Sequence, residues 1–295
     1  MKKLFTILAF SVFATCAFAQ ASDSLPKHKK GSYLYYGQPA IEDNSMLIEE
    51  AFNQESGVIQ HISNLMLDKG NLSYAYTQEI PLANDKHQLS FTFMYNSFKR
   101  PAGTAESRFK NQGFGDMLIN YRPLIWGKTD WALIIPRFTL IIPTGDARYG
   151  FGDGAWGGQF NLAVTKRLNK IITTHYNAGY TWLSGAHFYQ TISNQPELLY
   201  RNDMTGINWG SSAIFNVTPK FNFMVEYVAA LQDEYSEEGA IERKNASYVI
   251  NPGFRFAIDT DRLQIVPGVG IPLNFAEGKY QGVSTFFYLS IEPAF

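Results

Sequence analysis

From about residue 57 to its end, the chain alternates apolar with polar side chains in runs, and the connections between the runs alternate between short and long. Period two is the mark of a strand whose two faces meet different surroundings. Twelve strands are expected, at 57–67, 72–82, 87–97, 114–126, 131–143, 156–168, 171–184, 204–217, 221–232, 246–258, 263–275 and 282–295. One set of connections is short, such as Asn84-Asp85-Lys86, Asn169-Lys170 and Pro219-Lys220. The interleaved set is longer, at 98–113, 144–155, 185–203 and 233–245, with 68–71 and 276–281 as brief exceptions. A soluble sandwich has no reason to sort its loops by side, whereas a transmembrane barrel has short turns at one rim and long loops at the other. The expected fold is therefore all-β: a transmembrane antiparallel up-and-down β-barrel of about twelve strands, preceded by a short helical segment.

Composition agrees. Charged residues are only 17% and aromatics 15%, while the formal net charge of -1 gives nucleic acid no reason to bind. Mean hydropathy is slightly negative, too polar for a bundle of membrane helices. The strand 88–96 is the cleanest: Leu89, Phe91, Phe93 and Tyr95 alternate with Gln88, Ser90, Thr92, Met94 and Asn96. Trp126 and Trp131 flank a short turn, and Trp156, Trp182 and Trp209 lie toward the long loops, as two interfacial girdles would. Pro136, Pro252 and Pro267 fall inside strands of a wall without free edges, so each should mark a bulge or kink.

The ends carry addresses. Residues 1–19 read as a signal peptide, with Lys2 and Lys3, an apolar stretch from Leu4 to Phe13, and a small-x-small site at Ala17-Phe18-Ala19. The single cysteine, Cys16, lies in it, so the mature chain has no disulfide, thiolate metal site or cysteine nucleophile. Residues 20–55 form a tether and then an acidic segment. Asn44 or Ser45 could cap a helix there, and Leu47 with Ala51, and Ile48 with Phe52, make an i, i+4 stripe. Residues 56–295 make the barrel. The alternating last strand ends on Phe295 and resembles the signal read by the barrel-assembly machinery of the Gram-negative outer membrane. An even strand number puts both ends in the periplasm.

No cofactor or metal motif is found, and the chain reads as no enzyme. Gly152-Asp-Gly-Ala-Trp-Gly157 matches a dinucleotide fingerprint but runs on into a strand, not the helix such a site needs. His175 and Asn177 share the polar face of one strand and read as pore lining. Glu79, Arg122, Arg137, Glu226, Arg255 and Glu292 fall on the polar parity of their strands, about three to seven residues from the short-turn end or the chain end. They are expected to form one layer of charge in the lumen, either a neutral belt or a contact site for a solute. The acidic segment could reach that layer as a plug. The apolar loop 185–203, with Phe188, Tyr189, Leu198, Leu199 and Tyr200, is expected to fold inward as a lid.

A family resemblance rests on five short motifs in order: Gly113-Phe-Gly-Asp116, Pro143-Thr-Gly145, Gly154-Ala-Trp-Gly157, Asn177-Ala-Gly-Tyr180 and Pro252-Gly-Phe-Arg255. Over about residues 113–295 the chain resembles the outer-membrane barrels called "MetA-pathway of phenol degradation", often labelled transporters. The resemblance implies passage of a small hydrophobic or aromatic solute across the outer membrane, with membrane lipid and that solute as partners. A structural or adhesive barrel, or a barrel enzyme acting on lipid or peptide, are the alternatives. Pro252-Gly253 and Pro267-Gly268 lie on consecutive strands, and a simple hairpin count sets Gly253 opposite Gly268. Such a weak point resembles the lateral opening of long-chain fatty-acid transporters; the alternative is a pair of lipid-facing prolines in bulges whose ladder stays closed.

Overall fold

The computed structural model describes residues 34–35, 38–39, 41, 45–54, 56–83, 86–100, 110–124, 132–169, 171–192, 195–235, 241–243, 246–260 and 263–293. The expected leader, Trp126, Trp131 and Phe295 lie outside them.

Twelve antiparallel strands close into a barrel. They are β1 (Gln60–Asp68), β2 (Asn71–Leu82), β3 (His87–Ser97), β4 (Gln112–Phe114 and Met117–Pro123), β5 (Leu133–Ile142) and β6 (Trp156–Arg167). Then follow β7 (Ile172–Ile192), β8 (Gln195–Thr218), β9 (Phe221–Tyr235), β10 (Ser247–Phe256, with Ile258–Asp259), β11 (Leu263–Gly270 and Leu273–Ala276) and β12 (Lys279–Val283 and Thr285–Pro293). Closure runs from the last strand to the first, with Phe286 opposite Met66 and Ile291 opposite His61. The apolar edge that would aggregate in water is thereby removed.

The barrel is inside out relative to a soluble protein. Phe138, Phe160, Tyr176, Phe223, Phe254 and Phe287 face outward, while Asn120, Thr139, Asn161, Asn208, Asn251 and Ser290 are buried in the lumen. Hydrocarbon outside and hydrogen-bonding partners inside produce this inversion. Trp156, Trp182 and Trp209 are 55%, 43% and 37% exposed on the outward face; Trp156 opens β6 at the long-loop end, whereas Trp182 and Trp209 lie mid-strand, opposite Thr205 and Ala178.

Three expectations are corrected. The acidic segment is not a helix: residues 45–54 run as bends and irregular backbone. Nor is 185–203 an inward lid. It extends β7 and β8 into a hairpin, pairing Ala186 with Asn202 and Phe188 with Tyr200. Gly185, which looked like a strand end, is a bulge with φ 69°, its N–H donating to Asp203 Oδ1 at 2.8 Å. Phe188 packs on Tyr200 and Tyr235, but Leu198 and Leu199 remain exposed.

The third correction concerns the wall at Pro252, Gly253, Pro267 and Gly268. Gly253 pairs with Gly270, and Gly268 with Arg255, two residues away from the expected register. The ladder thins beside the prolines, yet Ile271 N–H reaches Pro252 C=O at 2.9 Å and Ser284 N–H reaches Pro272 C=O at 2.9 Å. The pairing continues beyond, from Ile250 opposite Leu273 to Ser247 opposite Ala276, so the wall is closed there. Pro136 is paired to β6, on a stretch where β5 pairing to β4 has ended at Phe138.

Candidate functional site

The polar lumen has an occupant from its own chain. Ile41 N–H is bound to Pro219 C=O at 3.1 Å, at the short turn between β8 and β9. From there residues 45–54 cross the lumen to the β3–β4 side before β1 begins. This strap is held through its backbone by side chains of the wall. Leu47 and Ile48 N–H both donate to Glu226 Oε1, at 2.8 and 3.2 Å. Asn177 grips Glu49 from both sides, accepting from its N–H and donating to its carbonyl, each at 2.7 Å. Thr165 Oγ1 accepts from Ala51 N–H at 2.9 Å, and Gln88 Oε1 accepts from Gln54 N–H at 2.6 Å. Here lies the reason no helix forms. The N–H groups that a helix would turn on its own carbonyls find acceptors on the lumen wall, and each such bond replaces an intrahelical one.

Two apolar knobs fit hollows floored by glycine. A Cβ on Gly210 would lie 2.4 Å from Ile48 Cδ1, and one on Gly268 would lie 2.8 Å from Met46 Cε. Gly268, which sequence reasoning assigned to an opening in the wall, faces inward and makes room for the strap.

The charge layer is organised by the strap as well. Glu49 sends its carboxylate to Arg137 Nη1 at 3.1 Å and to Arg122 Nε at 3.4 Å, and it accepts from Asn161 Nδ2. Arg122 also donates to the Glu50 carbonyl, and Arg137 to Gln159 Oε1 at 2.6 Å. Arg255 donates to Asn222 Oδ1 at 3.0 Å, and Asn251 Nδ2 donates to the second oxygen of Glu226 at 2.7 Å. Glu79, Arg122, Arg137, Glu226 and Arg255 are all buried in the lumen. Glu292 is only half-buried, with Gln60 Nε2 donating to it at 2.6 Å. His175 touches Thr165 Oγ1 at 2.8 Å while Asn177 serves the strap, so the two do not form a catalytic pair. Sequence reasoning missed Thr165, Asn161 and Gln88. Each is a lumen-facing polar residue like dozens of others, and only the path of the strap singles it out.

At the long-loop end the glycine motifs show their use. Asp116 accepts from Gly145 N–H at 2.9 Å and from Asp153 N–H at 3.0 Å, pinning the loop 144–155 to the wall. A Cβ on Gly113 would meet the Phe151 ring at 2.8 Å, and Phe151 stacks on Phe98 at 5.3 Å. Burial, and then the Asp116 carboxylate, push Asp153 up to about 7. Its pKa is raised above the unfolded value, so ionisation opposes the pinned loop. The stabilising effect is complete below about pH 4 and is lost as pH rises through about 7. Protease cleavage within 144–155 is expected to be slower at pH 5 than at pH 8, and Asp153→Asn should flatten that difference.

A closed barrel with an apolar outer face and a polar lumen defines an outer-membrane barrel of the channel type. Residues 51–289 match the family described as "Putative MetA-pathway of phenol degradation", and the chain belongs to that family. No curated protein matches the chain. Among solved structures it is similar to the COG4313 outer membrane channel from Pseudomonas putida F1, at 12% identity and TM-score 0.50, over 81% of this chain and 94% of that one. It also aligns with the NanC porin, at 7% identity and TM-score 0.48, over 80% of this chain and 100% of that one. The CymD monoaromatic hydrocarbon channel aligns at 7% identity and TM-score 0.41, over 82% and 89%.

Proposed function

We propose that the protein is a gated outer-membrane channel for a small hydrophobic or aromatic solute, closed at its short-turn end by the strap 45–54. The observation that carries this reading is how the strap is bound. Its backbone is held by exchangeable hydrogen bonds to Glu226, Asn177, Thr165 and Gln88, each of which water can replace. The strap is covalently continuous with the barrel at one end only, where β1 begins, and at its other end Ile41 N–H is held by the Pro219 carbonyl of a short turn. The aromatic character of the solute rests on the family's name, with its reference to phenol degradation. In this reading the short turns and both termini are periplasmic, residues 1–19 are a leader, residues 20–55 a tether that ends in the plug, and Phe295 the assembly signal. The protein has no catalytic role: the glutamates and arginines of the lumen hold a segment of chain.

Uptake of simple aromatic compounds by intact cells tests this reading. Cells carrying the protein should take them up faster than cells lacking it, and equal rates would contradict solute passage. A second reading, in which the barrel acts through its outer surface, is favoured by the β7–β8 hairpin with exposed Leu198, Leu199 and Tyr200. Trimming that hairpin to Gly185 and Asp203 should leave uptake unchanged if passage is the function.

A further inference from the structure

We infer that the place filled by the Glu49 carboxylate is a carboxylate-binding site of the channel, and that the strap occupies it as an internal stand-in for a solute bearing an organic acid group. The inference rests on the reading of the strap as a displaceable plug. Three donors on three neighbouring strands converge on one carboxylate: Arg122 of β4, Arg137 of β5 and Asn161 of β6. All three are buried. Guanidinium and amide donors converging on one point are the usual way to select a carboxylate over a neutral group.

Holding the strap does not require such a site. Buried ion pairs roughly break even against desolvation. Neutral partners, together with Glu226, already hold four of the strap's N–H groups in the span 47–51, and Met46 and Ile48 fill their own hollows. Two guanidinium groups within 3.4 Å of one carboxylate are an expensive fastener but a selective receptor. The surroundings fit a solute with an apolar body. Ile135 and Ala163 face the lumen two residues along from Arg137 and Asn161, and together with Leu124 and Leu133 they form a small apolar cluster now covered by Ala51 of the strap. A small aromatic acid would place its carboxylate on the arginines and its ring on this patch. Solute and strap then compete for one site, and arrival of the acid releases the plug.

Protein lacking residues 41–52, reconstituted in planar bilayers, tests the site with benzoate against benzamide, its neutral counterpart. Benzoate should block the open-channel current at a concentration about tenfold lower than benzamide, the weight of one charge-assisted contact pair. Arg122→Gln with Arg137→Gln should erase that preference. Equal block by both compounds, or a preference that survives the arginine replacements, overturns the site. A strapless channel that conducts no more than the intact one would instead sink the plug itself. Should the strapless protein fail to fold, full-length Glu49→Ala leaves the site empty. Acetate should then raise its thermal stability where acetamide does not, and equal effects would overturn the inference.

Discussion

Removing residues 41–52 should raise the single-channel conductance severalfold, the largest effect expected of any change to this protein. Barrels of about eight strands are filled by their own side chains, and those of about sixteen enclose open water. Twelve strands lie between, so a polar lumen of this width closes only with something added. The added part is the irregular strap, anchored from Ile41 on Pro219 to Gln54 on Gln88, with Met46, Leu47 and Ile48 buried to 6% exposure or less. Without it Glu226, Asn177 and Thr165 meet water, which replaces each lost bond at small cost. The loop 144–155 still covers part of the other rim, so the gain is limited by that constriction. Conductance unchanged by the deletion would mean that the rim, and not the strap, sets the resistance.

The second large effect is expected at Glu49. Glu49→Gln keeps the shape of the side chain but removes the carboxylate that Arg122 and Arg137 share. Losing one partner of a buried pair costs about 3–5 kcal/mol in a closed core, and less in a lumen that can admit water. The closed state should lose enough of this for spontaneous openings to become frequent in bilayer recordings. Adding Arg137→Gln should recover part of the loss, because the uncompensated charge is then smaller. The non-additivity of the two changes measures the coupling. Additive effects would show that Glu49 and Arg137 do not act on each other in the closed channel.

The barrel was legible in the chain because its cause is local. Alternation at 88–96 and 221–232 follows from lipid on one side and water on the other, and no distant contact alters it. The segment's reach toward the lumen charges was legible, but its irregular backbone was not. Leu47 with Ala51 and Ile48 with Phe52 have helical spacing, and Ser45 is a good cap. Nothing near them in sequence reveals that Glu226, over 170 residues away, takes the N–H groups of Leu47 and Ile48. The wall around Pro252 and Pro267 was misjudged by a single step. Moving the turn centre one residue along, from between Thr260 and Asp261, shifts the pairing by two and sets Gly253 against Gly270. The motifs with Gly113, Asp116 and Gly145 were visible as a pattern, but their purpose lies in the contact with Phe151 and Asp153 across the rim.

If the strap must leave the lumen for solute to pass, a reversible lock between strap and wall should stop passage. Ser45 Oγ and Ser212 Oγ are 2.6 Å apart, one on the strap and one on β8. The only native cysteine is Cys16, in the expected leader, so Ser45→Cys with Ser212→Cys adds the only thiols beyond it. Solute uptake by this variant should be blocked under oxidising conditions and return to the unmodified rate on reduction. Uptake that is the same with the bond closed and open would contradict it.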